Sequence, residues 1–239
     1  MEIFLITVLT FVAALVGTVT GFGIGTVMIP VMAAFYSLPQ TLLFVGVIHL
    51  FGSLWKVLLF RDGVNWKIII AFGLTAVIAS FIGASITIQA SETLLKSVLG
   101  FFLVAYAVSV FVKPGFALPK KSGTLAVGGA VSGFTSGIFG IGGETRAAAL
   151  SAFNLPKAVF LATSGVLGLF VDASRLATYL GGGVRLEPFF LWTLLIFVPV
   201  SFAGAKIAQK MIQKIPQDKF KKVVAVFLLT VGLYLFFIA

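Results

Sequence analysis

The chain is 239 residues long, 60% hydrophobic and only 10% charged, with 17 Lys and Arg against 7 Asp and Glu. A soluble domain carries roughly 25% charged residues, so this composition, with a mean hydropathy of +1.17, excludes a water-soluble globule and specifies an integral membrane protein. The formal charge of +10 does not point to nucleic acid: the cations punctuate apolar runs and form no basic face with interleaved aromatics, so anionic lipid headgroups are their expected partner.

There is no cysteine and a single histidine. Disulfides, thiolate sites and His-rich metal centres are thereby excluded, and no metal or cofactor is expected. The N-terminal "MEIFLITVLTFVAALVG" is apolar without a basic leading region. With more spans following, it is expected to belong to the mature protein and not to a cleaved signal.

In chain order, apolar runs cover about 3–36, 41–60, 66–90, 94–112, 124–153, 157–181, 187–208 and 220–238. A spanning helix needs about 20 residues, and six runs fit. Runs 3–36 and 124–153 are too long for one span and carry glycine clusters, "GFGIG" at 21–25 and "IFGIGG" at 138–143. Turn-type sequences such as "YSLPQ", "RDGVNW", "NLPK" and "GGGVRLEP" separate the runs.

The order of elements occurs twice. Each glycine cluster is followed by Leu-Pro (38–39 and 155–156), and the separations Gly25 to Pro39 and Gly142 to Pro156 are both 14 positions. Gly46, His49, Ser53 and Lys56 match Gly165, Gly168, Asp172 and Arg175 at an offset of 119, and Gly83-Ala84 matches Gly204-Ala205. This predicts a first repeat over 1–113, a linker over 114–123 and a second repeat over 124–239. Internal repeats of this kind are typical of transporters.

Loop charge orients the repeats, because cytoplasmic loops are enriched in Lys and Arg. If every run crosses once, the two faces carry six and eight cations, which gives no orientation. If 3–36 and 124–153 are re-entrant hairpins, one face holds Arg61, Lys67, Lys113, Lys120, Lys121, Lys157 and the six lysines of 206–222. The other then holds only Lys96 and Arg185. The expected fold is therefore an all-α membrane protein of two inverted repeats, each a re-entrant or broken helical hairpin plus three transmembrane helices. Both termini lie outside. Hairpin arms of about 15 residues reach roughly the bilayer centre.

A helix broken inside the bilayer leaves backbone N–H groups that must line a cavity or bind something. Gly21, Gly23, Gly25, Gly140, Gly142 and Gly143 shape two such breaks, and the helices that restart near Gly25 and Gly143 present free donors and a partial positive charge. Two of these N-termini meeting mid-membrane make an anion site; the plainer role for the glycines is close helix packing. "GFGIG" also brushes the dinucleotide-binding pattern, but lacks the strand and βαβ context that give that pattern meaning.

Glu144 suits a helix N-terminus, whereas Arg146 does not, and residues two apart on a helix face different directions. Arg146 is therefore expected to meet Asp172 or the substrate, or to pair structurally with a neighbouring helix. Gly165, Gly168, Asp172 and Arg175 share one helical face, as do Gly46, His49, Ser53 and Lys56. Lys56 and Arg175 are candidates for cations at either end of an anion path, with snorkelling to headgroups the alternative for Lys56. His49, Glu144 and Asp172 are candidate proton carriers or gating groups.

"TGFGIGTVMIPVM" (20–32) and "SGIFGIGGETRAAAL" (136–150), each followed by its Leu-Pro, resemble the TauE/SafE family of sulfite and sulfonate exporters, also called the toluene-sulfonate uptake permease family. "GVNW" (63–66), Gly83-Ala84 and Gly204-Ala205 add to the resemblance, which covers nearly the whole chain. The family usually shows a glycine triplet followed by apolar residues and proline in both halves. Here the first half keeps Pro30, but the second carries Glu144-Thr145-Arg146 in place of that stretch.

The resemblance implies a multi-pass inner-membrane transporter of sulfur oxyanions or organosulfonates, often proton-linked and homodimeric. Arg146 and Arg175 would hold the anion, and no enzymatic activity is expected. The competing readings are an anion channel, a non-transporting scaffold and an intramembrane serine protease using Ser132 or Ser164 with His49. The protease reading lacks the leading glycine of that family's motif and leaves the repeat unexplained.

Overall fold

The computed structural model describes residues 1–61, 63–112, 118–212 and 217–238, and these form ten helices. They are α1 (Glu2–Thr20), α2 (Gly25–Ala33), α3 (Leu38–Leu59), α4 (Trp66–Gln89), α5 (Glu92–Val112), α6 (Ser122–Phe139), α7 (Gly143–Ser151), α8 (Lys157–Gly181), α9 (Pro188–Met211) and α10 (Gln217–Ile238). Lys113, linker residues 114–117 and Lys214 lie outside the described residues, as do the side chains of Lys219, Lys221 and Lys222.

Local chemistry sets the ends of these helices. Gly21 (φ 79°) and Gly140 (φ 68°) close α1 and α6 in the left-handed conformation that glycine adopts without Cβ strain. Asn65 of "GVNW" caps α4, its side chain accepting from Ile68 N–H at 3.1 Å. Proline stands in the first turn of α3 and α9, where no backbone donor is needed.

Six stretches are long and apolar enough to cross a membrane: α1, α3, α4, Glu92–Ser109 of α5, α8 and α9. The number equals the sequence expectation, but the membership differs. α1 qualifies although it is one arm of a hairpin, and the apolar part of α10 found among the described residues is Leu228–Phe237.

α1 and α2 run antiparallel. Gly23 N–H donates to Gly17 C=O (3.2 Å), Thr10 Oγ1 lies 3.7 Å from Met28 Sδ, and the Tyr36 hydroxyl donates to Glu2. α6 and α7 do the same: Ser132 Oγ donates to Gly142 C=O (2.6 Å), and Gly128 packs on Ala149. The arms are unequal, however. The first arms have 19 and 18 residues and the return arms 9 each. At 1.5 Å per residue the first arms are about 27–29 Å long, longer than the expected 15-residue arms.

The open ends of the two hairpins lie at opposite ends of the bundle. At one end Glu2 meets Tyr36, Glu92 accepts from Leu38 N–H (3.1 Å), and Gln40 donates to Glu187 (2.7 Å). At the other end Lys157 donates to Ile212 C=O, Gln209 donates to Leu59 C=O (2.5 Å), and Leu118, Phe153 and Leu155 pack with Val64.

Helix pairing is mirrored between the halves. α1 packs on α9 as α6 packs on α4, α3 on α9 as α8 on α4, and α3 faces α8 while α5 faces α10. Small residues make the closest of these contacts. Gly129, Gly133 and Gly137 of α6 lie against the backbone carbonyls of Phe72, Ala76 and Ser80, leaving no room for a Cβ. Some of the glycines of the second half therefore serve packing and not the break.

Candidate functional site

The two glycine breaks meet in the middle of the bundle. A Cβ at Gly25 would stand 2.6 Å from Gly140 C=O, and Gly143 lies against Phe22 C=O. Each tip thus presses its backbone on the other, and only glycine allows that approach. Gly142 is held by Ser132, and Gly23 (φ 112°) lies directly under the His49 imidazole. Gly21 approaches Phe160, where a Cβ would be 2.8 Å from the ring.

Beside the tips, α3 and α8 cross antiparallel along the two faces matched in sequence. Gly46 meets Arg175, His49 meets Asp172, Ser53 meets Gly168, and Lys56 meets Gly165. Each step forward on α3 is matched by a step back on α8. The first and last of these contacts join equivalent positions of the two repeats, as do the middle two.

This interface is charged and dry. Lys56, Arg146, Asp172 and Arg175 are all at most 2% exposed, and Glu144 and His49 are buried as well. Asp172 is the hub: one oxygen receives Arg175 Nε at 2.9 Å, the other lies 2.6 Å from His49 Nδ1 and 3.5 Å from Ser53 Oγ. Arg146 reaches across from α7 to donate from Nε to Ser164 Oγ (2.9 Å). It does not form the expected ion pair with Asp172. Lys56 is packed inside and does not snorkel to a surface.

Among the described residues, several polar atoms here are buried with no hydrogen-bond partner: both oxygens of Glu144, Arg146 Nη2, Arg175 Nη1 and Nη2, and Thr26 Oγ1. Native proteins pair nearly all such groups, and unpaired ions in a bilayer interior are costlier still. Donors and charge are thus concentrated beside the two glycine breaks.

Above Arg175, a cavity of about 310 Å³ opens at the end of the bundle that holds Gln40 and Glu187. It is lined by Pro39, Thr87, Tyr179, Gly182 and Arg185, among others. Its floor is closed: the Tyr179 hydroxyl donates to Gly137 C=O, and the single Thr87 hydroxyl proton lies within reach of Gly83, Gly137 and Ile138 C=O (3.1, 3.3 and 3.1 Å).

The structure thus brings together Gly23, Gly25, Gly140, Gly143, His49, Lys56, Arg146, Asp172 and Arg175. Glu144 faces away from Arg146, as their spacing on one helix dictates. Sequence reasoning missed Ser164, Thr87 and Tyr179 as partners. Ser164 had a signal, since it precedes Gly165 on the matched face; Thr87 and Tyr179 had none. Ser132 is committed to Gly142 and Ser164 to Arg146, while His49 is held by Asp172. No serine–histidine pair suited to nucleophilic catalysis is formed among them.

The family model of the sulfite exporter TauE/SafE matches residues 6–235. The chain belongs to the TauE/SafE sulfite exporter family. It is a multi-pass membrane protein of a sulfite exporter family, which points away from an enzyme. A probable membrane transporter protein of Methanocaldococcus jannaschii is 25% identical over 156 residues, covering 58% of this chain and 57% of the archaeal protein. The match therefore spans a little over half the length of that relative. No solved structure matches. The TauE/SafE assignment rests on almost the whole chain, including both glycine breaks and the helices that cross beside them.

Proposed function

We propose that the protein is a secondary transporter that moves a small anion, a sulfur oxyanion or organosulfonate, across the inner membrane by alternating access. The observation that carries this reading is the buried set of guanidinium nitrogens, Arg146 Nη2 and Arg175 Nη1 and Nη2, that have no hydrogen-bond partner among the described residues and lie beside the two glycine breaks. A charged side chain at mid-bilayer depth costs roughly 2.5–3.5 kcal/mol on insertion scales. Keeping Lys56, Arg146 and Arg175 there against Asp172 and Glu144 leaves an excess of positive charge, which an anion would offset. Guanidinium forks match the oxygens of a sulfonate or sulfite head.

In this reading the halves 1–113 and 124–239 are inverted repeats that rock against each other about the α3–α8 crossing. Support comes from the exchanged helix pairings and from hairpins opening at opposite ends. The cavity above Tyr179 is the outward mouth. His49, Asp172 and Glu144 are the groups placed to couple a proton to the anion. A homodimer is the expected assembly.

The test is a thermal-shift screen of the purified protein against sulfite, thiosulfate, sulfonates and carboxylates, followed by uptake into proteoliposomes. Stabilisation by a sulfur anion and saturable, gradient-coupled uptake are expected. Stabilisation by carboxylates alone would overturn the substrate class. Uptake that rises linearly with concentration would replace the carrier with a channel.

A further inference from the structure

We propose that the anion is held between Lys56 and Arg146, with Ser53 and Ser164 beside it, and that Arg175 is not its principal ligand. This rests on the anion-transport reading and narrows it to one subsite and one class of ligand, a compact dianionic oxyanion.

The three buried cations are not equivalent. Arg175 has a carboxylate in contact, Asp172 Oδ1 at 2.9 Å. Asp172 in turn is filled by Arg175, His49 and Ser53. Arg175 and Asp172 together are therefore neutral, whatever further donors the guanidinium keeps. Lys56 and Arg146 take part in no ion pair among the described residues, where the ion pairs are His49–Asp172, Lys96–Glu92 and Arg175–Asp172.

Lys56 and Arg146 converge on one stretch of α8. A Cβ at Gly165 would lie 3.1 Å from Lys56 Cβ, and one at Gly168 would lie 3.7 Å from Arg146 Nη1 and in contact with Ser53 Oγ. Arg146 Nε is satisfied by Ser164, one residue before Gly165, which fixes the plane of the fork; Nη2 is buried and unpartnered. Two like charges buried beside one another repel, and an anion between them relieves that repulsion.

The repeat accounts for the asymmetry. Arg175 and Lys56 occupy equivalent positions, but the equivalent of Asp172 in the first half is Ser53. One half supplies a carboxylate to its cation; the other supplies a neutral hydroxyl and leaves the position of the negative charge to the ligand. Two cations with no carboxylate in contact attract a charge of −2 more strongly than −1.

The experiment measures stabilisation of the purified full-length protein in detergent by sulfite, thiosulfate, methanesulfonate and acetate at pH 8. The variants are K56Q, R146Q, the conservative K56R and R146K, and the double variant D172N/R175Q, which removes both members of the neutral pair. The wild type is expected to be stabilised more by the dianions sulfite and thiosulfate than by methanesulfonate. The two Gln variants are expected to lose sulfite affinity by at least about tenfold. The conservative variants should lose less, and so should the double variant, because Arg175 is already compensated by Asp172.

If wild type responds to no anion, the transport reading falls and this inference with it. If wild type binds sulfite but K56Q and R146Q bind equally well, or D172N/R175Q loses as much as they do, the transport reading survives and this subsite is wrong. Should the Gln variants fail to fold, the wild type still decides: equal stabilisation by sulfite and methanesulfonate overturns the two-cation site.

Discussion

Asp172 holds two basic groups at once, and its replacement is the most informative single-residue change outside the proposed anion site. In Asp172→Asn, Arg175 keeps its charge, 0% exposed, with no carboxylate in contact. Breaking a buried pair on one side costs about 3–5 kcal/mol, whereas removing both partners is often close to neutral. Denaturation by SDS in mixed micelles should show the single variant unfolding at markedly lower detergent fraction, with D172N/R175Q recovering most of the loss. A single variant as stable as wild type would mean that Asp172 does not neutralise Arg175. Most of these residues were legible one at a time, because a charge inside a 20-residue apolar run is conspicuous. Their pairing was not. Arg146 meets Ser164, 18 positions away, and His49 meets Asp172, 123 positions away, and local spacing says nothing about contacts of that range.

At the scale of elements, the α4–α6 contact and the closed floor of the cavity each make a prediction. Gly133 lies against the Ala76 backbone, where any side chain collides. Gly133→Leu should therefore separate α6 from α4 and sharply reduce the folded yield in size-exclusion chromatography. Val131→Leu on the outward face of α6, where Val131 is 45% exposed, should have no effect; equal yields for both would show that the close packing is dispensable. Tyr179 ties α8 to Gly137 of α6. Tyr179→Phe removes one hydrogen bond, worth about 1 kcal/mol, and Thr87 Oγ1 stays within reach of the same carbonyl at 3.3 Å. The expected outcome is little change in stability but faster labelling of a cysteine placed at Ser53, on the far side of this closure from the mouth, by a small thiol reagent. Unchanged labelling would mean that Tyr179 does not seal the mouth. The helices themselves were largely legible, since glycine, proline and Asn65 mark their ends by local backbone chemistry. The unequal arms of the hairpins were not: a run of apolar residues does not record where on it the chain reverses.

For the whole molecule, the testable property is orientation. The chain has no cysteine, so single-cysteine variants report cleanly. Lys120 and Arg185 are both exposed, at opposite ends of the bundle. In intact cells made permeable only at the outer membrane, a membrane-impermeant maleimide should label Arg185→Cys and spare Lys120→Cys, as the positive-inside rule requires. The reverse pattern would invert the orientation. Labelling of both from outside would refute hairpins that open on opposite faces.

The sequence alone determined the solvent, the repeat and the breaks. Partition into a bilayer depends on composition, and both glycine clusters with their Leu-Pro partners sit at fixed local spacing. It also determined the family, through motifs spread over nearly the full chain. Only the tertiary structure decided which cations are left without a carboxylate in contact. Asp172 and Arg175 pair locally, three residues apart on α8, but the matched faces of α3 and α8 could have met in several registers, and long-range packing selects the one that brings His49 to Asp172 and gives Lys56 and Arg146 no carboxylate in contact among the described residues. Charge compensation is a property of distance, and distance between residues more than a hundred positions apart exists only once the chain has folded.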